Sequence, residues 1–456
     1  MPITPATLKG TRDFSSTEIA RRTYLETTLQ KSFECYGFQP IETPAMERSE
    51  TLLSNYGEEG ERLIFKILNS GDKVKKADLT SLEKGEYKRF SQSLSEKALR
   101  YDLTVPLARY VAQHYNELNF PFRRYQIQPV WRADRPQHGR FQEFYQCDAD
   151  IIGERSLWQE VEMVRLYDTA FKALGLKGTK LKINHRNILA SIAECIDAKD
   201  KLNDLTITLD KWDKVGQEGV QKDLIKKGFS KKAIGILFDI LEPKKSFEKK
   251  INELKQLFNV KKVDTSGLDE LTFVLKEIKT QDLFIELELD IKLARGLHYY
   301  TGMIVEVLPP KSVKMGAIGG GGRYDNLTET FGLKDMPGIG ISFGFERIFL
   351  VLEILNLFPK TIHQPIPVLF MNFGGEATSK CFEMVSKLRA EGIPAELYPV
   401  KAKIKKQMLY ANKKKTQKVV LIGSYELDQN IFVLKNMETG EQQSHPMSNL
   451  IEIFKH

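Results

Sequence analysis

Residues 122–152 constrain the fold of this chain more than any other stretch, because they have the pattern of two strands joined by a charged loop. Side chains on a strand alternate between the two faces of a sheet. In the second strand one face is apolar and typical of a core: Tyr145, Cys147, Ala149 and Ile151. Apart from Phe144, the opposite face and the loop are polar or charged: Gln146, Asp148 and Asp150, then Arg124, Gln126 and Gln128, then Arg132, Asp134, Arg135, His138 and Arg140.

This pattern allows two interpretations. The simpler one is an amphipathic hairpin with its polar face in water, because half-solvated antiparallel pairs are common. The loop, however, is more basic than a tight hairpin requires, and Gln and Asp are poor strand formers. A concave sheet with carboxylates at its centre and arginines at its rim suits a zwitterion and a polyphosphate. The pattern therefore favours a binding sheet, with the solvated hairpin as the alternative.

The hairpin also resembles motif 2 of class II aminoacyl-tRNA synthetases, in the form found in histidyl-tRNA synthetases. Farther along the chain, LARGLHYYTG and GGGGRYDNL resemble the two histidine-specific signatures, and GIGISFGFERI resembles motif 3. The resemblance covers nearly the whole chain in the order of the family. It implies an α+β fold: an antiparallel sheet with flanking helices, a helical insertion domain, and a C-terminal α/β anticodon-binding domain.

The composition is that of a globular protein with two or three domains. The chain has 456 residues and no apolar run long enough to span a membrane, so we expect a cytoplasmic protein. A net charge of +8 fits a polyanionic partner. The four cysteines lack metal-ligand spacing, so no metal site or disulfide framework is predicted, and we expect reduced cysteines in the core.

Residues 1–192 are predicted to form the first part of a catalytic core. A helix is expected after residues 9–14, with an apolar stripe at Ile19, Leu25, Leu29 and Phe33. The extended segment 36–44 resembles motif 1, which implies a homodimer, although a surface helix and loop is an alternative. Residues 66–98 are rich in lysine and dotted with glycine, which predicts a charged hairpin or a mobile loop.

Asp102 and Thr104 lie on one face if their segment is extended, and Pro106 is well placed to open a helix. A simple helix cap by either residue is one interpretation. The resemblance implies instead that both lie near the α-ammonium group of the substrate. Asp102 is able to do both.

Residues 193–280 are predicted to be a separate helical insertion, because they are Lys-rich and weakly patterned. Lysines on helix faces commonly just face solvent. The alternative, to which we give equal weight, is a clamp on the tRNA acceptor arm through phosphate contacts.

Residues 281–358 are predicted to complete the catalytic core. The alternating stretch 282–307 is interrupted by Arg295-Gly296, which indicates a bulge or a close approach to a ligand. Attack of a carboxylate on a phosphate builds negative charge on oxygen, and a fixed guanidinium stabilises that charge. The resemblance implies that Arg295 supplies it. On a strand, Tyr299 and Tyr300 would face opposite ways, and His298 stands where the family commonly has aspartate.

The glycine-rich segment 316–327 is ambiguous, because glycine runs form flexible loops as often as ligand floors. The segment that follows is predicted to be a strand entering a helix, with Arg347 near the helix start, where phosphate is favoured. A surface arginine paired with a nearby acid is the alternative for Arg347.

Residues 365–456 are predicted to form a small α/β layer after a linker at 364–368, because strand and helix patterns alternate. Its first helix carries an apolar stripe at Phe382, Val385 and Leu388. Lysines cluster around its second helix: Lys401, Lys403, Lys405, Lys406, Lys413, Lys414 and Lys415. They are either a solvated face or, as the resemblance implies, a surface for the anticodon arm.

The resemblance implies a ligase that activates L-histidine with ATP, Mg²⁺ accompanying the ATP, and transfers histidine to the 3′ end of tRNA(His). It implies these site residues: catalytic Arg132 and Arg295; histidine-binding Asp102, Thr104, Gln146, Asp150, Arg295, Tyr299 and Tyr300; ATP-binding Arg132, Arg140 and Arg347. Two alternatives are a regulatory paralogue of the ATP phosphoribosyltransferase complex and a non-catalytic RNA-binding protein. The predicted anticodon domain argues against the first, and the arginines argue against the second.

Overall fold

The structure is a computed structural model that describes residues 4–53, 62–137, 139–241, 247–280, 282–294, 300–360, 362 and 368–455. Contacts divide the chain into two units, residues 1–15 with 21–358 and residues 16–20 with 359–456. The predictions for His138, Arg295, Gly296, His298 and Tyr299 lie outside the described residues, as does most of the predicted linker at 364–368.

The strands up to residue 358 are β1 (Gln39–Pro40), β2 (Met46–Arg48), β3 (Lys66–Ile67), β4 (Lys97–Leu99), β5 (Phe122–Trp131), β6 (Glu143–Ile152), β7 (Lys180–His185), β8 (Glu286–Leu289), β9 (Met303–Leu308), β10 (Gly319–Tyr324) and β11 (Gly338–Phe343). Eight of them form one sheet in the order β1-β5-β6-β11-β10-β9-β7-β8. Neighbours are antiparallel except for one parallel pair at each edge, β1 with β5 and β7 with β8. A small second sheet has the order β2-β4-β3.

The predicted hairpin forms β5 and β6, which pair over their whole length. Cys147, Ala149 and Ile151 are fully buried, as the alternation predicts, while Tyr145 is only partly buried. The polar face is buried as well, since Arg124 is 0% and Asp150 3% exposed. The alternative of a hairpin with a solvated polar face is therefore wrong, because Gln126 and Asp148 on that face are also only 1% and 4% exposed.

Helices flank this sheet: α1 (Ser16–Cys35), α2 (Leu79–Glu83), α3 (Tyr87–Ser93), α4 (Thr104–Gln113), α5 (Trp158–Ala173), α6 (Arg186–Cys195), α7 (Leu202–Leu209), α8 (Trp212–Lys226), α9 (Lys231–Leu241), α10 (Phe247–Lys261), α11 (Ser266–Ile278) and α12 (Phe345–Ile354). Phe343 on β11 packs against Phe33 of α1 and Phe171 of α5, with ring centroids 5.5 and 5.6 Å apart. The helices predicted between 193 and 280 are present as α7 to α11. Their buried side chains belong to the same continuous apolar core as the sheet.

One segment prediction is partly confirmed and another is wrong. Residues 66–98 begin and end in β3 and β4, which pair antiparallel as in a hairpin, but α2 and α3 lie between them, and the Asp78 side chain caps α2 by accepting from the Ser81 amide at 3.0 Å. Residues 282–307 are not one alternating strand. Beyond β8, the Asp290 carboxylate accepts from the Lys292 amide at 3.0 Å, which turns the chain before β9 begins.

The glycine run is also not a loop, since Gly319–Gly322 lie in β10, an interior strand of the sheet. A Cβ atom on Gly321 would lie 2.1 Å from the carbonyl oxygen of Gly340, and one on Gly322 would lie 2.4 Å from that of Met303. Glycine is therefore required by the close approach of the neighbouring strands.

Some side chains are more exposed than predicted. Ile19 is 45% exposed, because the buried face of α1 begins only at Arg22 and continues through Leu25, Leu29 and Phe33. Cys35 at the end of α1 is exposed, whereas the other three cysteines are buried. Hydrophobic periodicity thus located the helix, but it did not show that burial begins only at Arg22.

The second unit contains β12 (Val368–Phe370), α13 (Gly375–Ala390), β13 (Ala395–Leu397), α14 (Ile404–Lys413), β14 (Lys418–Leu421), α15 (Ser424–Asp428), β15 (Ile431–Asn436), β16 (Gln442–Pro446) and α16 (Leu450–Phe454). Its sheet has the order β13-β12-β14-β15-β16, with a parallel first half and an antiparallel hairpin. The predicted α/β layer is confirmed. In α13, Val385 and Leu388 are buried as predicted, but Phe382 is 57% exposed.

Candidate active site

A cavity of about 580 Å³ opens over the polar side of the large sheet. Its lining comes from β6, β10 and β11, from the loop between β5 and β6, and from the first turns of α4 and α12. All the predicted site residues that the structure describes line this cavity: Asp102, Thr104, Arg132, Arg140, Gln146, Asp150, Tyr300 and Arg347. Residues that are far apart in the sequence are thus brought to one place, while the role of each remains a prediction.

Beneath the cavity lies a group of polar side chains, here called the polar cluster: the buried Arg124, Gln126, Asp148 and Asp150 and the partly buried Gln146. Arg124 stands opposite Asp150 in the pairing of β5 with β6, and its Nη2 lies 2.7 Å from Asp150 Oδ2, an ion-pair contact. The Tyr324 hydroxyl, which reaches over from β10, donates to Asp150 Oδ1. Gln146 Nε2 donates to Asp148 Oδ2 at 3.2 Å.

The polar cluster is incompletely hydrogen-bonded. Among the described residues, twelve buried side-chain nitrogen or oxygen atoms have no hydrogen bond of good geometry, and seven of these belong to the cluster: Arg124 Nε, Nη1 and Nη2, Gln126 Oε1, Gln146 Oε1, Asp148 Oδ1 and Asp150 Oδ2. Two of the seven, Arg124 Nη2 and Asp150 Oδ2, have only their ion-pair contact with each other. A buried polar group without a partner costs about 1–3 kcal/mol, so folded proteins keep few of them. Their concentration under a cavity indicates a site for a polar, hydrogen-bonding ligand.

The carboxyl groups of the cluster have perturbed acidities. Burial raises the pKa of Asp148 to about 7, with Arg124 opposing the rise and Asp150 and Asp102 adding to it. Burial also raises the pKa of Asp150, against the opposing effects of Arg124 and the Tyr324 hydroxyl. A carboxyl that titrates near neutrality in a cavity, as Asp148 does, is typical of functional sites.

Asp102 caps α4, because its Oδ1 accepts from the backbone N–H groups of Thr104 and Val105 at 3.1 Å each. The capping interpretation is therefore confirmed for Asp102. The same carboxyl is 4% exposed and lines the cavity. Capping orients Asp102 toward the helix start without removing it from the site.

Arg132 has a fixed orientation at the cavity wall. Its Nε donates to the carbonyl oxygen of Tyr101 at 3.0 Å. Its guanidinium carbon lies 4.3 Å from the ring centre of Tyr101 and 5.2 Å from that of Phe144. A guanidinium held in this way loses little side-chain entropy when an anion binds.

Arg347 occupies the first turn of α12 and donates through Nη1 to the Ala317 carbonyl at 2.7 Å. Burial, and to a smaller extent Arg140, lowers the pKa of Arg347. In the described part of the chain, no carboxylate forms an ion pair with Arg347. The alternative interpretation, a surface arginine paired with a nearby acid, is therefore wrong. Arg140 is partly neutralised by Asp134, at 3.1 and 2.9 Å. The two neighbouring cations create a positive potential that suits a polyphosphate.

The N-terminal segment braces the same wall. The Gln142 amide donates to the Gly10 carbonyl at 2.9 Å, and the Arg12 guanidinium lies 3.4 Å from the ring centre of Phe141. Arg12 also donates to Glu346 at 2.5 Å, while Arg22 donates to both Glu346 oxygens at 2.8 and 2.9 Å. Phe141 and Glu346 line the cavity.

Comparisons with known proteins identify the family of this chain. A family model described as histidyl-tRNA synthetase matches residues 10–81 and 76–348, and one described as an anticodon binding domain matches residues 367–456. The histidine–tRNA ligase of Christiangramia forsetii is 54% identical over 452 residues, which cover 99% of each protein.

The chain belongs to the histidyl-tRNA synthetase family.

The histidine–tRNA ligase of Flavobacterium johnsoniae is 51% identical over 459 residues, covering 96% of this chain and 97% of that protein. The crystal structure of histidyl-tRNA synthetase from Nostoc sp. PCC 7120 matches with a TM-score of 0.80 at 28% identity, covering 100% of this chain and 99% of that one.

Membership in the histidyl-tRNA synthetase family confirms the predicted class II fold with a C-terminal anticodon-binding domain, and it confirms that the chain is an enzyme. The matches extend through both units, which favours a synthetase over the regulatory paralogue and over the non-catalytic RNA-binding protein. Within the residues that the structure describes, none of the helices has both the length and the apolar character needed to cross a bilayer.

The sequence did not identify every residue of this synthetase site. Asp148 was placed on the polar face but not in the site, although its position between Gln146 and Asp150 at a spacing of two was an available signal. Tyr324 gave no local signal, because it reaches Asp150 from a strand that is not adjacent to β6. Gly340 was equally inconspicuous, yet a Cβ there would lie 1.9 Å from Asp150 Oδ1.

Proposed function

We propose that this chain activates L-histidine with ATP to form histidyl-adenylate and then transfers histidine to the 3′ end of tRNA(His). The observation that carries the proposal is the incompletely hydrogen-bonded polar cluster beneath a cavity whose upper wall is arginine-rich. Such a cavity offers acceptors and donors to an amino acid at one side and cations to a polyphosphate at the other. The 54% identity with a histidine–tRNA ligase supports the choice of substrates.

In this proposal the amino acid is held at its two ends. Asp102, Thr104 and Gln146 bind the α-ammonium group, and Asp150 with Tyr300 binds the imidazole ring. A carboxylate offers about four acceptor positions, so Asp150 has room for an imidazole N–H beside its contacts with Arg124 and Tyr324. An amino acid without that N–H would leave a buried carboxylate unpaired, which allows strong discrimination.

The arginine-rich wall of the cavity supports the first chemical step. A carboxylate oxygen of histidine forms a bond to the α-phosphorus of ATP, and the bond to the leaving pyrophosphate breaks. We assign Arg132 and Arg295 to the negative charge that develops on the α-phosphate oxygens. Arg140 and Arg347 hold the outer phosphates, and Tyr299 completes the assigned histidine pocket. Arg295 and Tyr299 enter this proposal from the family resemblance alone.

Mg²⁺ is expected to accompany ATP. Among the described residues there is no group of three or more His, Cys, Asp or Glu that could hold a metal ion by itself. Mg²⁺ commonly needs only one or two carboxylates when phosphate oxygens supply other ligands, and Glu306 is a carboxylate that lines the cavity near Arg347. The residues therefore fit a metal that arrives with the nucleotide, where it would neutralise charge between the phosphates.

The second chemical step transfers histidine to tRNA, and other parts of the chain are proposed to take part in it. A hydroxyl of the terminal ribose attacks the carbonyl carbon of the adenylate, and AMP leaves. We propose that the C-terminal unit binds the anticodon arm through the exposed lysines around α14, which would contact phosphates. We also propose that the enzyme is a cytoplasmic homodimer and that residues 193–280 form an insertion domain between the core segments 1–192 and 281–358.

Pyrophosphate–ATP exchange tests this function. Purified protein is incubated with ATP, Mg²⁺ and labelled pyrophosphate, with each of the twenty amino acids in turn. Label should enter ATP only with histidine. Exchange with a different amino acid would replace the substrate, and no exchange with any amino acid, followed by no charging of tRNA, would refute the proposal.

A further inference from the structure

We propose that Asp148 is a binding residue for the α-ammonium group of the substrate, and that it engages this group in its ionised form. The proposal rests on the function proposed above and adds a residue that the family resemblance did not assign. It concerns how the amino acid is held, before any chemical step.

Asp148 is positioned for contact with a ligand. It is 4% exposed and lines the cavity, and in the sheet it stands between Gln126 of β5 and Ser342 of β11. Gln146 donates to its Oδ2 at 3.2 Å and the Ser342 hydroxyl interacts with the carboxyl from β11, while its Oδ1 has no partner at good hydrogen-bond geometry among the described residues. A buried carboxyl oxygen without a donor is unfavourable in the free protein, so a donor from the ligand would be stabilising.

The surroundings favour an ammonium group over the imidazole ring as that donor. Asp148 accepts a hydrogen bond from Gln146, which is assigned to the ammonium end, and its pKa is raised by burial, by Asp150 and, to a smaller extent, by Asp102. Asp150 already has contacts from Arg124 and Tyr324 at the other end. Three carboxyls and one buried guanidinium leave excess negative charge when all are ionised. A cation balances that charge, and a neutral ring does not.

The proposal makes amino-acid binding depend on pH through identifiable groups. The charged groups that face Asp148 are Arg124 on β5, Asp150 on β6 and Asp102 before α4, and the Ser342 hydroxyl faces it from β11. Burial raises the pKa of Asp148 to about 7, so the free protein holds a proton there below that pH. An arriving ammonium group favours the ionised form, and this proton must leave on binding. Affinity for the ammonium group should therefore fall as the pH drops below about 7.

Two competitors of histidine separate the ends of the substrate in the pyrophosphate exchange assay. Histidinol keeps the imidazole ring and the ammonium group, while 4-methylimidazole keeps only the ring. At about pH 8, Asp148→Asn should raise the inhibition constant of histidinol by about 10- to 100-fold, because a charge-assisted hydrogen bond is lost. The constant for 4-methylimidazole should not change. A surface control, Asp335→Asn, removes a carboxylate that is 94% exposed and should change neither constant.

The pH dependence supplies a second readout. Between about pH 6 and pH 8 the histidinol constant of the wild type should improve more than that of Asp148→Asn, since the titration of the inhibitor itself is common to both. Asp148→Glu keeps a titratable carboxyl and should keep part of this dependence, which also covers the case that the asparagine variant does not fold.

Three outcomes would overturn the proposal. Asp148→Asn could weaken inhibition by histidinol and by 4-methylimidazole to the same extent, or it could leave the inhibition constant of histidinol unchanged. The inhibition constant of histidinol could also depend on pH in the same way in the wild type and in the folded variants. A wild-type protein without histidine-dependent exchange would instead refute the proposed function. The two failures are thus distinguishable.

Discussion

Replacing Asp148 by asparagine should change the pH dependence of stability in a predictable direction. Burial raises the pKa of this carboxyl from its usual 3.8 to about 7. Between these values the folded state keeps a proton that the unfolded state has lost, so the free energy of unfolding falls as the pH rises. Each pH unit corresponds to about 1.4 kcal/mol, and the whole rise corresponds to about 4 kcal/mol.

Asparagine does not titrate, so the free energy of unfolding of the variant does not fall with rising pH through this group. The free energy of unfolding of Asp148→Asn, minus that of the wild type, should increase by about 2–3 kcal/mol from pH 5 to pH 7 and then level off. Any difference between asparagine and a protonated aspartate is the same at every pH. The prediction therefore concerns only the slope of the difference and its end near pH 7.

Urea unfolding followed by tryptophan fluorescence measures this quantity in the relevant unit. The three tryptophans of the chain, Trp131, Trp158 and Trp212, all lie within residues 21–358. The measurements are made without substrates at half-unit steps between about pH 5 and pH 8, with Asp335→Asn as the control. A difference that does not change with pH would show that Asp148 ionises as easily in the folded protein as in the unfolded chain.

Three further predictions concern substrate binding. Gly340→Ala places a Cβ 1.9 Å from Asp150 Oδ1 and should raise the KM for histidine about tenfold or more, with little change for ATP, in the exchange assay. Arg12→Ala removes the 2.5 Å ion pair with Glu346 and should raise the KM for ATP about three- to tenfold while the KM for histidine stays constant. Lys406→Glu, at an exposed position of α14, should raise the KM for tRNA about threefold or more and leave pyrophosphate exchange unchanged.

Each of these variants has a matched control. Gly235→Ala adds a Cβ with nothing within 4 Å, Arg21→Ala breaks an ion pair with Glu353 away from the cavity lining, and Lys455→Glu reverses a charge outside the lysine cluster. Equal effects in a variant and its control would remove the corresponding argument. For Gly340→Ala, a normal KM for histidine would also mean that Asp150 can move without loss of binding.

Local patterns were sufficient to predict much of the fold. The period of two in residues 143–152 predicted which side chains of β6 face the core, and the apolar spacing from Leu25 to Phe33 located α1. These predictions succeed because side-chain direction is set by the backbone of the element itself. The resemblance in four motifs predicted a set of site residues. Those that the structure describes line one cavity.

The sequence could not predict burial of the polar face or the fit of the glycines. Arg124 and Asp150 form a buried ion pair, and Asp150 also accepts from the hydroxyl of Tyr324, which is 174 residues away in the chain. Glycine is required at positions 321 and 340 because a Cβ atom there would overlap the carbonyl oxygen of Gly340 and Oδ1 of Asp150, respectively. From the sequence alone, a solvated hairpin and a flexible glycine loop remained alternatives for these residues.

What the sequence by itself determined is therefore many of the strands and helices, the family, and the chemical types gathered at the site. Only the tertiary structure decided which of these groups meet and how far water is excluded from them. Asp148 illustrates the difference, because its residue type is ordinary while its pKa of about 7 depends on burial and on Arg124, Asp150 and Asp102. Desolvation and charge–charge interaction are properties of distance in space, and distance along the chain does not encode them.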